Sequence, residues 1–191
     1  MILWLAAITA CTSAPQKPQT ESPEPQPTID LTQADYQHAL TALKEGHEQD
    51  ALTLLTALTQ SNPELAAPYL NLGLMALKKG DLPAAETALA RAATLKPELA
   101  VTHNALGIVY RRLGRFGEAE AAYLKALQCQ PDYARAHLNL GILYEIYLNK
   151  PSAALAEYQR YQELTGGNNE LTNKWIIDLK QRLAVTTGPS N

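Results

Sequence analysis

The feature that most constrains this chain is a residue pattern that returns every 34 positions. Turn-forming and small residues recur at matched places: Gly46, Gly80 and Gly114; Ala51, Ala85 and Ala119; Pro63, Pro97 and Pro131. Because so many matches at one fixed period are improbable by chance, we interpret the pattern as an internal repeat. One unit of this length cannot bury all of its apolar surface alone, so the repeats are expected to stack on their neighbours.

Local signals predict that each repeat is a pair of helices. Gly46, Gly80 and Gly114 stand where a left-handed residue would close the first helix. Asp81 is placed to cap the helix that follows, with Pro83 in its first turn. The recurring prolines predict the ends of the second helices, because the residue before a proline disfavours helical geometry.

The strongest copy of the pattern covers Ala100–Tyr133 and resembles a tetratricopeptide repeat. Its skeleton is Leu-Gly-x-x-Tyr, then Ala-x-x-x-Tyr-x-x-Ala, then Pro, at Leu106, Gly107, Tyr110, Ala119, Tyr123, Ala126 and Pro131. The resemblance to this family covers roughly residues 31–164. The first copy has His38 and Ala39 in place of the Leu-Gly pair. The fourth copy has one extra residue in its turn, so Ala154 and Tyr158 come one place late.

The resemblance implies an all-α fold, a right-handed superhelical solenoid of about four helix-turn-helix repeats with a C-terminal capping helix. We place the repeats at about residues 32–65, 66–99, 100–133 and 134–168, within a domain over 30–185. Apolar residues return every fourth position at Leu171, Trp175, Leu179 and Leu183, which predicts the capping helix over 170–185. The tail over 186–191 is expected to be disordered.

The N-terminal segment predicts a lipid anchor. An apolar run ends in Ile8-Thr9-Ala10-Cys11, which resembles the bacterial lipobox and implies a signal peptide over 1–10 and a lipidated, palmitate-bearing Cys11. No Lys or Arg precedes the run, which leaves an upstream start site open, and a short buried apolar segment is the other interpretation. Residues 11–29 are rich in Pro, Gln, Ser and Glu and are predicted to form a disordered tether. Thr12 follows the cysteine, and by resemblance to enterobacterial sorting this favours the outer membrane, facing the periplasm.

Composition and motifs argue against an enzyme and against bound cofactors. The net charge of −3 is small and mixed in sign, which is not typical of a nucleic-acid surface. No catalytic sequence motif, phosphate-binding glycine loop or paired-cysteine metal site occurs. His103 and His137 lie one repeat apart, and we interpret them as packing residues rather than metal ligands. With Cys11 lipidated, Cys129 has no partner, and we expect no disulfide.

The family resemblance implies that the first helices line a concave groove that takes an extended peptide or a helix. The spacing of the first helices assigns to this groove Tyr36, Leu40, Leu70, Leu74, Lys78, Asn104, Ile108, Arg111, Arg112, Arg135, Leu138, Ile142 and Glu145. Aliphatic residues flanked by Arg and Lys suit a partner segment with apolar anchors and some acidic character. The other interpretation is that many of these residues pack within the superhelix.

Together these features predict a membrane-anchored periplasmic adaptor that binds a protein or peptide and assists assembly of an envelope complex. The anchor and repeats resemble tetratricopeptide lipoproteins that help assemble pilus secretin pores and those that bring peptidoglycan hydrolases together. The C-terminal part also resembles, more weakly, repeat lipoproteins of proton-driven motors. The alternative is a self-associating structural module, a homodimer in which Trp175 and its neighbours bury against a second copy.

Overall fold

All regular structure within residues 31–186, the part of the chain that this computed structural model describes, is helical. The helices are α1 (Leu31–Glu45), α2 (Glu48–Ser61), α3 (Ala66–Lys79), α4 (Leu82–Leu95), α5 (Ala100–Arg112), α6 (Phe116–Cys129), α7 (Ala134–Ile142), α8 (Pro151–Leu164) and α9 (Glu170–Thr186). They pair as consecutive hairpins that pack side by side, and the expected all-α helical-repeat solenoid is confirmed. The predictions for the signal peptide, Cys11, the tether and the tail beyond residue 186 lie outside the described residues.

The helix boundaries follow from the turn residues. Gly46, Gly80 and Gly114 have φ angles of +84°, +84° and +77°, in the left-handed region that only glycine adopts without strain. The side chain of Asp81 accepts a hydrogen bond of 3.1 Å from the Ala84 amide and caps α4. The second helices α2, α4 and α6 each end two residues before a recurring proline, as the sequence predicts.

The hairpins of the second, third and fourth repeats each close around a glycine on the first helix. A Cβ on Gly107 would lie 2.4 Å from Cε1 of Tyr123, which is fully buried on α6. The second repeat makes the same contact with a smaller partner, since a Cβ on Gly73 would lie 2.5 Å from Cγ of Leu89. A glycine at this position therefore lets the second-helix side chain pack directly against the first-helix backbone.

The extra residue of the fourth repeat is absorbed by a π-helical turn, Leu143–Tyr147, at the end of α7. The Lys150 amide donates to the carbonyl of Tyr144, six residues earlier, at 2.8 Å. In the third repeat the equivalent bond spans five residues, from Arg115 to Tyr110, at 2.9 Å. Because the turn takes up the insertion, Tyr158 still meets Gly141 as Tyr123 meets Gly107.

Helix α9 covers the end of the stack, but one residue of its predicted apolar face points away. Leu179 is fully buried, and the Trp175 ring packs against Tyr158 with 5.3 Å between centroids. Leu171 is 56% exposed, so its assignment to the packed face is wrong. The cause lies in the N-terminal cap of α9, where the Asn169 side chain accepts a 3.0 Å hydrogen bond from the Thr172 amide. With the helix beginning in this way, Thr172 is buried against the repeats and Leu171 points to solvent. No helix over residues 31–186 is both long and apolar enough to cross a bilayer.

Candidate functional site

The first helices of the second, third and fourth repeats enclose a surface pocket of about 360 Å³. Helix α3 supplies one wall, α5 the floor and α7 the other wall. The lining residues are Leu74, Val101, Asn104, Ala105, Ile108, Tyr133, Arg135, Leu138 and Asn139. Of the residues predicted for the groove, the pocket therefore brings together Leu74, Asn104, Ile108, Arg135 and Leu138. A pocket of this size admits one or two side chains of a bound segment.

A pair of asparagines joins the floor of the pocket to its α7 wall. Asn139 Nδ2 donates to Asn104 Oδ1 at 2.9 Å, and Asn104 is only 5% exposed. The same link recurs two repeats earlier, where Asn71 Nδ2 donates to the Tyr36 hydroxyl at 2.9 Å. Each bond joins the first helices of neighbouring repeats. Three amide hydrogens and several oxygen lone pairs of the Asn104–Asn139 pair are not used by this contact, so the pair has bonding capacity for a ligand.

Arg135 supplies a free positive charge at the rim. Its side chain is exposed, and among the described residues its guanidinium forms no ion pair with a carboxylate. The neighbouring Tyr133 is half-buried in the wall. Burial raises the pKa of Tyr133, an effect that the charge of Arg135 partly offsets. The pocket thus combines aliphatic walls, a polar floor and an unpaired cation.

Two predicted groove arginines are tied into the fold. Arg111 Nε donates to the Tyr123 hydroxyl at 3.4 Å, and its guanidinium lies 5.7 Å from the Tyr147 ring centroid. Although burial opposes it, bonding to the Tyr123 and Tyr147 hydroxyls raises the pKa of Arg111. Arg112 donates to the Leu77 carbonyl at 2.9 Å and so satisfies the end of α3. Arg111 therefore links α5 to α6, and Arg112 links the end of α5 to α3.

Lys78 and Glu145 also have partners within the chain. Lys78 forms an ion pair with Glu48 at 2.5 Å. Glu145 accepts a 3.0 Å bond from the Tyr158 hydroxyl and pairs with Arg182 of α9. Glu145 is therefore turned towards the C-terminal helices, and it lies apart from the pocket.

The remaining predicted groove residues are half-buried between helices. Tyr36 accepts the bond from Asn71, Leu70 packs against the core around Leu89, and Ile142 packs against the core around Leu140. Leu40 is half-buried on α1. None of these residues lines the pocket.

The sequence interpretation missed four lining residues, Val101, Ala105, Tyr133 and Asn139. A signal for Asn139 was present, because Asn71 and Asn139 stand two repeat periods apart at the same place in the first helix. The third repeat has Ala105 at that position, so the asparagine does not recur in consecutive repeats and its recurrence was overlooked. The bonding partner differs as well, since Asn71 meets a tyrosine and Asn139 an asparagine.

The histidines join helices to turns. His103 Nε2 donates to the Pro97 carbonyl at 2.7 Å, and His137 Nε2 donates to the Pro131 carbonyl at 3.0 Å. Both histidines therefore make the same bond, one period apart, from a first helix to the turn before it. Over residues 31–186 no group of three or more His, Cys, Asp or Glu side chains is arranged to hold a metal ion. Cys129 is half-buried, with Sγ 3.5 Å from the Pro97 carbonyl oxygen.

Solved structures with the same architecture include bacterial repeat proteins. PilF of Pseudomonas aeruginosa superposes with a TM-score of 0.70 at 22% identity, over 84% of this chain and 78% of that chain. The tetratricopeptide protein TTC0263 of Thermus thermophilus gives a TM-score of 0.61 at 27% identity, over 81% and 80%. The first tetratricopeptide domain of Spaghetti (RPAP3), bound to the HSP90 peptide SRMEEVD, gives 0.58 at 24% identity, over 62% and 93%.

Family models match the repeats directly. Residues 36–100 match the model described as a tetratricopeptide repeat, and residues 107–145 match a second one described as a TPR repeat. Together the two matches span more than half of the chain. Among curated protein sequences, none matches. Since the family models, the helical hairpins and the structural neighbours agree, the chain belongs to the tetratricopeptide repeat family.

Proposed function

We propose that this chain is a membrane-anchored adaptor of the bacterial envelope, which binds a protein or peptide segment on its first helices and assists assembly of an envelope complex. Its repeats are those of a protein-interaction module. The observation that carries the proposed binding site is the pocket between α3, α5 and α7, where apolar walls, the Asn104–Asn139 pair and the unpaired Arg135 meet.

The composition of the pocket describes the segment that it would hold. An aliphatic or aromatic side chain fits between Leu74, Ile108 and Leu138, and an acidic group fits beside Arg135. The asparagine pair is placed to bond the backbone of an extended segment. The tetratricopeptide domain of RPAP3, which has the same fold, holds an HSP90 peptide that contains two glutamates and an aspartate.

The Arg135→Glu variant tests this pocket. We expect the yield of a photo-crosslink from a benzophenone amino acid at Leu138 to its envelope partner to fall at least about tenfold, because the carboxylate would repel the acidic group of the segment. The matched control is Arg160→Glu, a similarly exposed arginine on α8 that lies outside the pocket. Equal crosslinking by Arg135→Glu and the unaltered chain would rule out the pocket. Arg111 is unsuitable for this test because its guanidinium is bonded to Tyr123.

The lipid anchor is the second part of the proposal, and its support is the Ile8–Cys11 sequence. We expect Cys11→Ser to move nearly all of the protein from the membrane fraction to the soluble fraction, because stable attachment of such a chain depends on its acyl groups. Fractionation of cell envelopes followed by immunoblotting measures this. Cys129→Ser is the control and should stay with the membrane. Retention of Cys11→Ser in the membrane fraction would refute the anchor.

Self-association through α9 is the competing function, and the structure leaves part of that helix open to it. Trp175 packs against Tyr158 of its own chain, but Ile177 and Val185 are 56% and 83% exposed. A sedimentation series over a hundredfold range of protein concentration separates the two functions. A constant monomer mass supports the adaptor, and a mass that doubles with concentration supports the dimer.

A further inference from the structure

Two junctions between repeats are filled by the same three-part arrangement on the side of the second helices. Between the second and third repeats, Tyr110 occupies the space, and the guanidinium of Arg115 lies 4.5 Å from its ring centroid. Arg115 also donates to Glu86 at 2.9 Å. The ring fills the gap between α4 and α6, and the ion pair closes it.

The next junction repeats this arrangement one period later. Tyr144 fills the gap between α6 and α8, with Lys150 Nζ at 5.1 Å from its ring centroid. Lys150 donates to Glu120 at 2.9 Å. Burial, together with the hydrogen bond to Glu120, raises the pKa of Tyr144 to about 12. The tip of the ring therefore faces a carboxylate.

The first junction lacks all three parts. Ala76 stands one period before Tyr110, Asp81 before Arg115, and Leu52 before Glu86. An open trough results, formed by two adjoining concavities of about 310 and 640 Å³ that share Leu72, Ala84 and Ala88. The further lining residues are Leu52, Tyr69, Met75, Ala76, Lys79, Asp81, Pro83, Thr87 and Arg91.

The trough and the groove pocket lie on opposite faces of α3. Leu74 lines the pocket, whereas Leu72 and Ala76, two residues to either side, line the trough. Two residues along a helix correspond to a rotation of about 200°, so these side chains point in opposite directions. A ligand in one site therefore leaves the other site accessible.

The residues that line the trough, in place of the tyrosine, the cation and the glutamate of the later junctions, indicate the chemistry of the side chain that it would bind. At the later junctions a glutamate faces the tyrosine ring. In the trough the equivalent position is Leu52, which presents only aliphatic carbon, so the tip of a bound side chain should be apolar. At the rim, Lys79 is exposed and forms no ion pair among the described residues, which favours a carboxylate nearby. Asp81 is already engaged, since it caps α4.

We propose that the trough between α2 and α4 is a second docking site, which takes a phenylalanine or leucine side chain of a partner protein whose neighbouring carboxylate meets Lys79. The partner supplies in trans the side chain that Tyr110 and Tyr144 supply within the chain. With ligands on both faces of α3, the protein would hold two segments at once, which goes beyond the single groove of the proposed function.

The test uses 3-phenylpropionate, a phenyl ring joined to a carboxylate, as the probe for the full chain. In proton–nitrogen NMR spectra we expect millimolar probe to shift the amide signals of Ala76, Ala84 and Ala88. Ala84→Glu places a carboxylate in the trough, using the residue type that Glu118 has at the equivalent position one period later, and should weaken binding at least about tenfold. Lys79→Ala should weaken it about threefold, the order expected for one exposed ion pair.

Matched variants separate this site from the groove and from a dimer. Ala90→Glu, an exposed position on α4 outside the trough, and Arg135→Glu should leave the shifts unchanged. Ala76→Tyr, which restores the missing ring, should abolish them while raising the melting temperature. Absence of shifts at these alanines, or shifts that survive Ala84→Glu, would overturn the proposal. A sedimentation coefficient that falls on Ala84→Glu would overturn it too, because the occupant would then be a second copy.

Discussion

Replacing Tyr123 by alanine is expected to lower the free energy of unfolding by about 3–5 kcal/mol, the range for removing a large buried aromatic side chain. Tyr123 is fully buried, packs directly over Gly107, and its hydroxyl accepts the bond from Arg111. Because Tyr123 is fully buried against the α5 backbone, alanine would leave a cavity between α5 and α6. Urea denaturation followed by circular dichroism measures the loss.

Two smaller changes at the same position show which part of Tyr123 matters. Tyr123→Leu reproduces the pairing of Gly73 with Leu89 in the second repeat, so we expect it to cost much less than alanine. Tyr123→Phe removes only the hydroxyl and should cost about 0.5–1.5 kcal/mol, the net value of one hydrogen bond. If leucine and alanine were equally destabilising, cavity formation would not be the cause.

The sequence was sufficient to predict the hairpins because their determinants are local. Gly80 closes α3 through its own φ angle, and Asp81 caps α4 through an amide three residues away. The period then carries the same geometry from one repeat to the next. Such signals need no knowledge of distant residues, which is why the helix ends agree with the expectation.

The groove was predicted only in part, because the 34-residue period specifies a face of each helix but not its long-range partners. Leu74, Ile108 and Leu138 share a face and do line one pocket. The bond from Arg111 to Tyr123 crosses between two helices of a hairpin, and the bond from Arg112 to Leu77 crosses between repeats. The periodicity carries no information about bonds between residues that are distant in the sequence.

The fourth repeat shows how one inserted residue redirects a side chain. The π-helical turn Leu143–Tyr147 lies where the inserted residue is absorbed, and Glu145 within it meets Tyr158 and Arg182. If the 34-residue period is applied without allowing for the insertion, Glu145 aligns with Arg111 and is assigned to the groove. The place where an insertion is absorbed depends on packing against α8, so the sequence pattern could not locate it.

Within α9, Leu179→Ala is expected to lower the free energy of unfolding by about 2–5 kcal/mol, whereas Leu171→Ala should change it by less than about 0.5 kcal/mol. Both variants make the same chemical change in the same helix. Leu179 is fully buried beside Tyr158 and Ile176, and Leu171 is 56% exposed. Denaturant titration of the two variants side by side isolates the effect of burial.

The comparison also decides what α9 does. If α9 caps the fourth repeat, loss of Leu179 loosens the contact that covers Tyr158, and hydrogen exchange in α8 should accelerate. Leu171 is exposed, so it would matter only if a second chain packed there. A large effect of Leu171→Ala that grows with protein concentration would therefore favour the homodimer. An effect confined to Leu179 means that the buried face of α9 serves its own chain.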